Sequence, residues 1–167
     1  MASLLNAEIK GKLLKAIQQE LYAHGLYKSI ANQMQSMGYF GAQKYFLKES
    51  KEELKHYQLL ADYMNDRGDV ATIGAGEGQF DEATSLRKSF EFSYEAEHDL
   101  ENFYANFYKQ ALLEVSDIVT AQFLLQFIEI QRKSVGEVKD ILSLIELTKD
   151  NPSALLLVDE KLDEWGK

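Results

Sequence analysis

The segment ESKEELKHYQLL, residues 49–60, combines a strongly helix-forming composition with a carboxylate and an imidazole three residues apart. Because residues at positions i and i+3 share one face of a helix, Glu53 and His56 point the same way. That face continues through Phe46 and Leu60, which makes it a candidate for the buried side of the helix. A carboxylate and an imidazole on a buried face need a partner to bind, so the segment indicates a candidate metal site.

Hydrophobic periodicity predicts four long helices around this segment, and no long stretch with a period of two competes with it. Their approximate bounds are residues 5–37, 41–67, 85–113 and 118–149. Gly68 suits the end of the second helix, and Asp81 and Thr84 are nearby capping candidates for the third. Asn151 and Pro152 end the fourth helix and begin a short amphipathic fifth helix, residues 152–165.

The lengths of the connections predict how these helices are arranged. Short turns make the first and second helices, and likewise the third and fourth, antiparallel neighbours. The glycine-rich connection between the second and third helices is long enough to return along a bundle. The fold class is therefore all-α, a four-helix bundle with one long crossover. We expect a single domain over residues 1–167, with the bundle in residues 5–149.

The composition excludes several classes of function. The 167 residues include no cysteine, so disulfides and thiolate metal sites are not available. A formal net charge of −9 argues against nucleic-acid binding as the main task. No apolar run approaches the ~20 residues of a membrane span, and the amino terminus lacks the pattern of a secretory signal. We therefore expect a soluble cytoplasmic protein that binds neither membrane nor nucleic acid.

The inward-facing stripes of the four predicted helices are apolar at both ends and polar near the middle. The polar members are Glu20 and His24, then Glu49, Glu53 and His56, then Ser93 and Glu97, and finally Gln131 and Ser134. Unpaired buried carboxylates are costly and repel one another, and one multivalent cation removes both penalties. Hard carboxylate oxygens with one imidazole suit iron or manganese and can also take zinc.

An ordinary explanation exists for each of these residues taken alone. A Glu-x-x-His pair is common on solvated helices, and Glu20 by itself could be a surface residue. The joint occurrence of Glu20, the Glu53–His56 pair and Glu97 at the middle of three separate stripes favours a metal site.

The chain resembles the ferritins, in particular the non-haem bacterial and H-type ferritins, over essentially its whole length. The resemblance is carried by QQELYAHGLY (18–27), FLKESKEELKHYQLLADYMNDRG (46–68), the region around Glu97, FLLQFIEIQ (123–131) and the tail helix. It implies the ferritin-like four-helix bundle with one long crossover and a short fifth C-terminal helix. It also implies a homo-oligomeric hollow shell of 24 chains.

The same resemblance implies a di-iron ferroxidase centre. The implied iron ligands are Glu20, Glu53, His56, Glu97 and Gln131. In this family Glu53 would bridge the two irons, Gln131 would lie in the outer part of the site, and Tyr27 would lie beside it.

Several positions depart from related di-iron proteins. Gln131 and Ser134 stand where bacterioferritins carry a second Glu-x-x-His pair, so fewer protein ligands would hold the second iron. Leu54 replaces their haem-binding Met, and haem is not expected. A third iron site of many bacterial ferritins would need glutamates at Ile130, Lys133 and Ser134, so we expect it to be absent.

Three residues near the predicted ligands keep more than one interpretation. His24 is either a transient iron ligand or a hydrogen-bonding partner of the site. Glu49 is either solvated or supports a ligand. Glu52 could receive iron on the cavity side, although neighbouring lysines make that side less acidic; these are Lys48, Lys51 and Lys55.

The predicted function is iron storage. The resemblance implies that Fe²⁺ is oxidised at the centre by O2 or H2O2 and that Fe³⁺ is stored as a mineral inside the shell. A rubrerythrin-like peroxidase would keep its iron pair and normally needs the missing second Glu-x-x-His motif. A miniferritin-type protective assembly fits less well with the net charge, the position of the ligands within the bundle and the fifth helix.

Overall fold

Five α-helices occur in residues 2–74 and 78–167, the parts of the chain that the computed structural model describes. They are α1 (Ala7–Ser36), α2 (Phe40–Asp66), α3 (Leu86–Lys109), α4 (Ile118–Leu147) and α5 (Pro152–Trp165). The four long helices pack as the pairs α1–α2 and α3–α4, while α5 packs mainly on α2. This confirms the predicted all-α fold of four long helices and a short fifth. None of the described helices has the length and apolarity that crossing a membrane requires.

The connection between α2 and α3 returns along α1. Near its start the Asp69 carboxylate forms an ion pair with Lys10. Further on, Phe80 packs so closely against Gly25 that a Cβ atom there would meet the phenyl ring at 2.9 Å. At its end the Ala83 amide donates to the Gln33 side-chain oxygen at 2.8 Å. These contacts span the length of α1 and confirm the crossover; residues 75–77 of the predicted glycine-rich connection lie outside the described residues.

The ends of α3 differ from the sequence prediction. Ser85, rather than Asp81 or Thr84, caps its first turn by accepting a hydrogen bond from the Lys88 amide at 3.0 Å. The sequence predicted that this helix would extend to residue 113. The α-helix instead ends at Lys109, and the chain continues as a π-helical turn, Gln110–Glu114. A wider turn adds a residue per winding without breaking the backbone hydrogen bonds, so periodicity alone does not reveal it.

Asp159 joins α5 to the amino end of α2. Tyr39 precedes α2 and provides no side-chain cap. The buried Asp159 carboxylate instead accepts hydrogen bonds from the Gly41 and Ala42 amides at 3.0 and 2.7 Å. It thereby satisfies free amides at the positive end of the helix dipole. α5 therefore supplies the cap at the amino end of α2, although Asp159 and Gly41 are more than one hundred residues apart in the sequence.

The bundle interior is apolar at both ends and polar near its middle. The largest fully buried side chains of the apolar parts are aromatic; among them are Tyr27, Tyr45, Tyr104, Phe46, Phe90, Phe107 and Phe127. Four polar residues at mid-height are at most 2% exposed, namely Glu20, Glu53, Glu97 and Gln131. Each comes from a different long helix, so the fold gathers one polar group from every helix at one level.

Replacing Gly41 with alanine is expected to loosen α5. A Cβ atom at Gly41 would lie 1.8 Å from the Asp159 carbonyl oxygen, whereas one at Gly11 on α1 meets nothing within 4 Å. Overpacking against backbone costs about 1–3 kcal/mol or more, while alanine in an open helical position gains up to about 1 kcal/mol. Denaturant unfolding followed by circular dichroism should therefore show Gly41→Ala destabilised and Gly11→Ala equal to or above the unaltered chain. Equal stabilities for the two variants would contradict this packing.

Candidate metal centre

Glu20 of α1 meets Glu53 and His56 of α2 in the middle of the bundle. A ligand atom of each lies within 4.8 Å of the other two. His56 Nδ1 lies 3.1 Å from Glu53 Oε2 and 3.5 Å from Glu20 Oε2. The structure therefore brings together three of the five residues that the resemblance implies as iron ligands.

Glu97 of α3 is held from two sides by the other predicted site residues. The Gln131 amide nitrogen donates to Glu97 Oε2 at 2.8 Å, and the Tyr27 hydroxyl donates to Glu97 Oε1. Both contacts fix the orientation of the carboxylate without an opposing charge. Gln131 and Tyr27 are thus placed to position Glu97.

Tyr104 is a further residue of the site, and the sequence prediction gave it no role. It is fully buried on α3, and its hydroxyl donates to Glu20 Oε1. A signal for it exists in the sequence, because Tyr104 follows Glu97 by seven residues just as Tyr27 follows Glu20. The two pairs cross: Tyr27 bonds Glu97, and Tyr104 bonds Glu20.

Burial makes the cluster retain protons when no cation is bound. Desolvation, followed by the hydrogen bond and charge of Glu20, raises the pKa of Glu53 well above its ordinary value. Desolvation also raises the pKa of Glu97, against the hydrogen bonds from Tyr27 and Gln131. Burial opposes ionisation of Glu20 too, but its contacts with His56 and Glu53 bring its pKa below the ordinary value. Of these two neighbouring carboxyl groups, Glu53 therefore holds its proton to a higher pH than Glu20.

The His56 imidazole and two buried oxygen atoms indicate whether a cation fits at this site. Burial lowers the pKa of His56, but the adjoining Glu20 carboxylate outweighs it and the net shift is upward. Among the described residues, Glu20 Oε2 and Gln131 Oε1 are buried and lack a hydrogen-bond partner. Both are acceptor atoms that a cation can satisfy. A set of carboxylate oxygens with one imidazole fits Fe²⁺ or Fe³⁺.

His24 lies one turn from Glu20 but bonds elsewhere. Its Nδ1 is 2.8 Å from the Ser50 carbonyl oxygen and 2.7 Å from the Ser50 hydroxyl. The Ser50 hydroxyl also reaches the His24 carbonyl oxygen at 3.1 Å. These contacts tie α1 to α2 beside the site, and of the two interpretations of His24 they favour the hydrogen-bonding one, with Ser50 rather than a ligand as its partner.

A cavity of about 270 Å³ between α2 and α4 opens beside His56. Its lining includes both predicted accessory carboxylates and all three positions considered for a third iron site; the members are Lys48, Glu49, Glu52, His56, Ile130, Lys133, Ser134 and Glu137. Burial, together with the charges of Glu97 and Glu137, raises the pKa of Glu49 to about 8. Glu49 therefore belongs to the electrostatic surroundings of the site rather than to the solvated surface.

Comparison with known proteins agrees with the fold and the site geometry described above. A four-helix bundle with a carboxylate–histidine cluster between its helices defines a class of metal-binding helical proteins. The sequence profile described as "Ferritin-like domain" matches residues 10–148. The chain belongs to this ferritin-like family.

Named relatives and solved structures agree with this membership. The chain is 27% identical over 159 residues to a bacterial non-heme ferritin of Escherichia coli O6:H1, which covers 95% of this chain and 96% of the relative. A bacterial non-heme ferritin of Staphylococcus saprophyticus is 26% identical over 95% of both chains. The open pore ferritin of Archaeoglobus fulgidus superposes with a TM-score of 0.91 at 26% identity, covering 95% of this chain and 98% of that one.

The pKa of Glu49 predicts how the stability of the metal-free chain depends on pH. Between its ordinary value of 4.5 and about 8, the unfolded chain loses the Glu49 proton while the folded chain keeps it. The contribution of Glu49 to the stability of the folded chain is therefore complete below pH 4.5 and is lost as pH rises toward 8. With a chelator present, Glu49→Gln should become progressively more stable than the unaltered chain across this window, by on the order of a few kcal/mol at most. A difference in unfolding free energy that stays constant with pH would contradict the assignment.

Proposed function

We propose that the protein is an iron-storage ferritin of the cytoplasm that oxidises Fe²⁺ with O2 or H2O2. The observation that carries this proposal is the buried group of Glu20, Glu53 and His56, contributed by two helices of a ferritin-like bundle. Buried carboxylates from separate helices are costly without a cation, so their convergence favours a metal-binding task over a purely structural one.

The donor set suits oxidation of iron as the substrate. Glu20, Glu53 and His56 hold one Fe²⁺, and Glu97 approaches from α3 to complete a second position with Glu53. Anionic oxygen ligands in a dry core stabilise Fe³⁺ over Fe²⁺ and so favour loss of an electron. Tyr27 and Gln131 fix the orientation of the Glu97 carboxylate by donating to its two oxygens.

The two metal positions differ in strength, which favours storage over a fixed cofactor. On the α4 side the protein offers Gln131, a neutral amide, and Ser134. A position with few anionic ligands releases its Fe³⁺ product more readily than a complete Glu-x-x-His position would. The cavity beside His56, with Glu49 and Glu52 in its wall, provides an adjoining space for ions that leave the site.

Exposed leucines around α5 support assembly into a shell. Leu147 at the end of α4 and Leu156 and Leu157 on α5 are solvent-exposed in the single chain. Exposed apolar patches commonly mark a contact with another chain. We take that chain to be a further copy of this one, within a shell of 24.

Glu53→Ala tests the centre directly. Loss of the ligand shared by both metal positions should reduce the initial rate of aerobic Fe²⁺ oxidation to that of iron in protein-free buffer. The fold should persist, because the change removes a carboxyl group that burial disfavours when ionised. Asp62→Ala is the control, since Asp62 is an exposed carboxylate of the same helix that accepts a hydrogen bond from Gln58 instead. An unchanged initial rate in Glu53→Ala, followed optically, would show that oxidation occurs elsewhere.

Leu157→Glu tests whether storage depends on assembly. A charge in an apolar contact between chains should produce smaller particles that oxidise Fe²⁺ but do not retain the iron after gel filtration, whereas Leu157→Met should behave like the unaltered chain. Light scattering and iron analysis of each fraction provide the measurement. Retention of only about two irons per chain by the unaltered protein, with rapid peroxide turnover, would favour the rubrerythrin-like alternative.

A further inference from the structure

A second cavity, of about 670 Å³, lies between α2, α4 and the end of α5. It adjoins the cavity beside His56, because Lys48, Lys133 and Glu137 line both. Its lining includes none of the predicted iron ligands. Small-molecule sites in proteins commonly measure ~300–1,000 Å³, so this cavity has room for a ligand of its own.

The end of α5 is held in place so that Trp165 forms part of the cavity wall. Lys48 Nζ donates to the Trp165 carbonyl oxygen at 2.7 Å. At the next residue, Gly166, a Cβ atom would lie only 2.8 Å from the Tyr45 amide nitrogen, so glycine permits this close approach to α2. The two contacts fix the backbone around Trp165 and keep its half-buried indole ring at the cavity.

Four cationic side chains line the cavity, although the formal net charge of the chain is −9. Arg132 is already occupied, since two of its nitrogens donate to Glu129 at 2.9 and 2.8 Å. Lys133 and Lys167 each lie 3.7 Å from a carboxylate oxygen, which is a loose ion pair. Lys48 has no carboxylate oxygen within 4 Å among the described residues. Three ammonium groups are therefore available to an anion such as phosphate.

Gly136 leaves the middle of α4 open to the same cavity. A Cβ atom at this position would meet nothing within 4 Å, so packing inside the chain does not require glycine here. Glycine destabilises a helix interior relative to alanine. It does allow a ligand to approach the backbone closely, and that use accounts for its place in the cavity wall.

Three carboxylates in the wall decide which kind of anion fits. They are Glu137 and Asp140 on α4 and Glu164 on α5. They repel a bare phosphate ion but accept hydrogen bonds from hydroxyl and amino groups. In dinucleotide sites a carboxylate binds the ribose hydroxyls, and aromatic side chains stack on nucleic-acid bases. The mixed wall therefore matches a ligand that combines a phosphate, hydroxyl groups and a planar ring.

We propose that this cavity binds a nucleoside phosphate, with the phosphate on Lys48, Lys133 and Lys167 and the base against Trp165. Lys133 occupies a position where a third iron site would need a glutamate, so the chain presents an anion-binding group in place of a cation-binding one. The inference goes beyond the proposed function and does not depend on iron oxidation.

The test uses the fluorescence of Trp165, which is the only tryptophan of the chain and so reports on this cavity alone. Metal-free protein is titrated at constant ionic strength with adenosine monophosphate, with adenosine and with inorganic phosphate. We expect adenosine monophosphate to quench the fluorescence to saturation and adenosine to bind at least about tenfold more weakly, because it lacks the charged group. Inorganic phosphate should compete with the nucleotide without quenching.

Two variants test the assigned contacts. Lys133→Met should weaken binding of adenosine monophosphate about tenfold and leave adenosine binding unchanged. Gly136→Leu should abolish quenching by filling the cavity, while circular dichroism shows the helical content of the unaltered chain. The control is Lys139→Met, which removes an exposed lysine of α4 that does not line the cavity and should leave binding unchanged.

Three results would overturn this inference. They are an unaltered chain whose fluorescence does not respond to the nucleotide, an equal response to adenosine monophosphate and inorganic phosphate, and unchanged nucleotide binding in Lys133→Met. None of them affects the proposed function, because the titration contains no iron. Conversely, failure of the protein to oxidise Fe²⁺ would leave the nucleotide site standing.

Discussion

Three glutamates buried at one level of a helical bundle are the constraint around which this structure is organised. Glu20, Glu53 and Glu97 lie among side chains that exclude water, and each ionised carboxylate there is costly and repels the others. The fold limits this cost with uncharged donors. Tyr104 bonds Glu20, and Tyr27 bonds Glu97. Neutral donors orient the oxygens and leave the negative charge available for a cation.

The crossed tyrosines give α1 and α3 an approximate two-fold relation. In both helices a tyrosine follows the glutamate by seven residues, and each bonds the glutamate of the other helix because the two helices run antiparallel. The other helix pair breaks this relation. The corresponding groups are Glu53 and His56 on α2 but Gln131 and Ser134 on α4. A nearly symmetric arrangement of α1 and α3 is thus combined with unequal polar groups on α2 and α4.

Contacts within one helix could be predicted from the sequence, whereas contacts between distant helices could not. Spacing of three residues placed Glu53 and His56 on one face, and the apolar stripes gave the helices to within a few residues of their observed ends. The Tyr104–Glu20 bond depends on how α3 is rotated against α1, and Asp159 reaches the start of α2 only after the whole bundle has formed. The periodicity of the sequence does not determine how a helix is rotated against its neighbour or where α5 packs.

The dry, aromatic surroundings of the cluster affect its carboxylates in two opposing ways. Low polarity strengthens attraction between carboxylates and a cation and also raises the penalty of leaving those carboxylates charged. Protons compete with a cation for the same oxygens, since burial raises the pKa values of Glu53 and Glu97. Binding of a metal ion at this cluster would therefore be an exchange of protons for the cation.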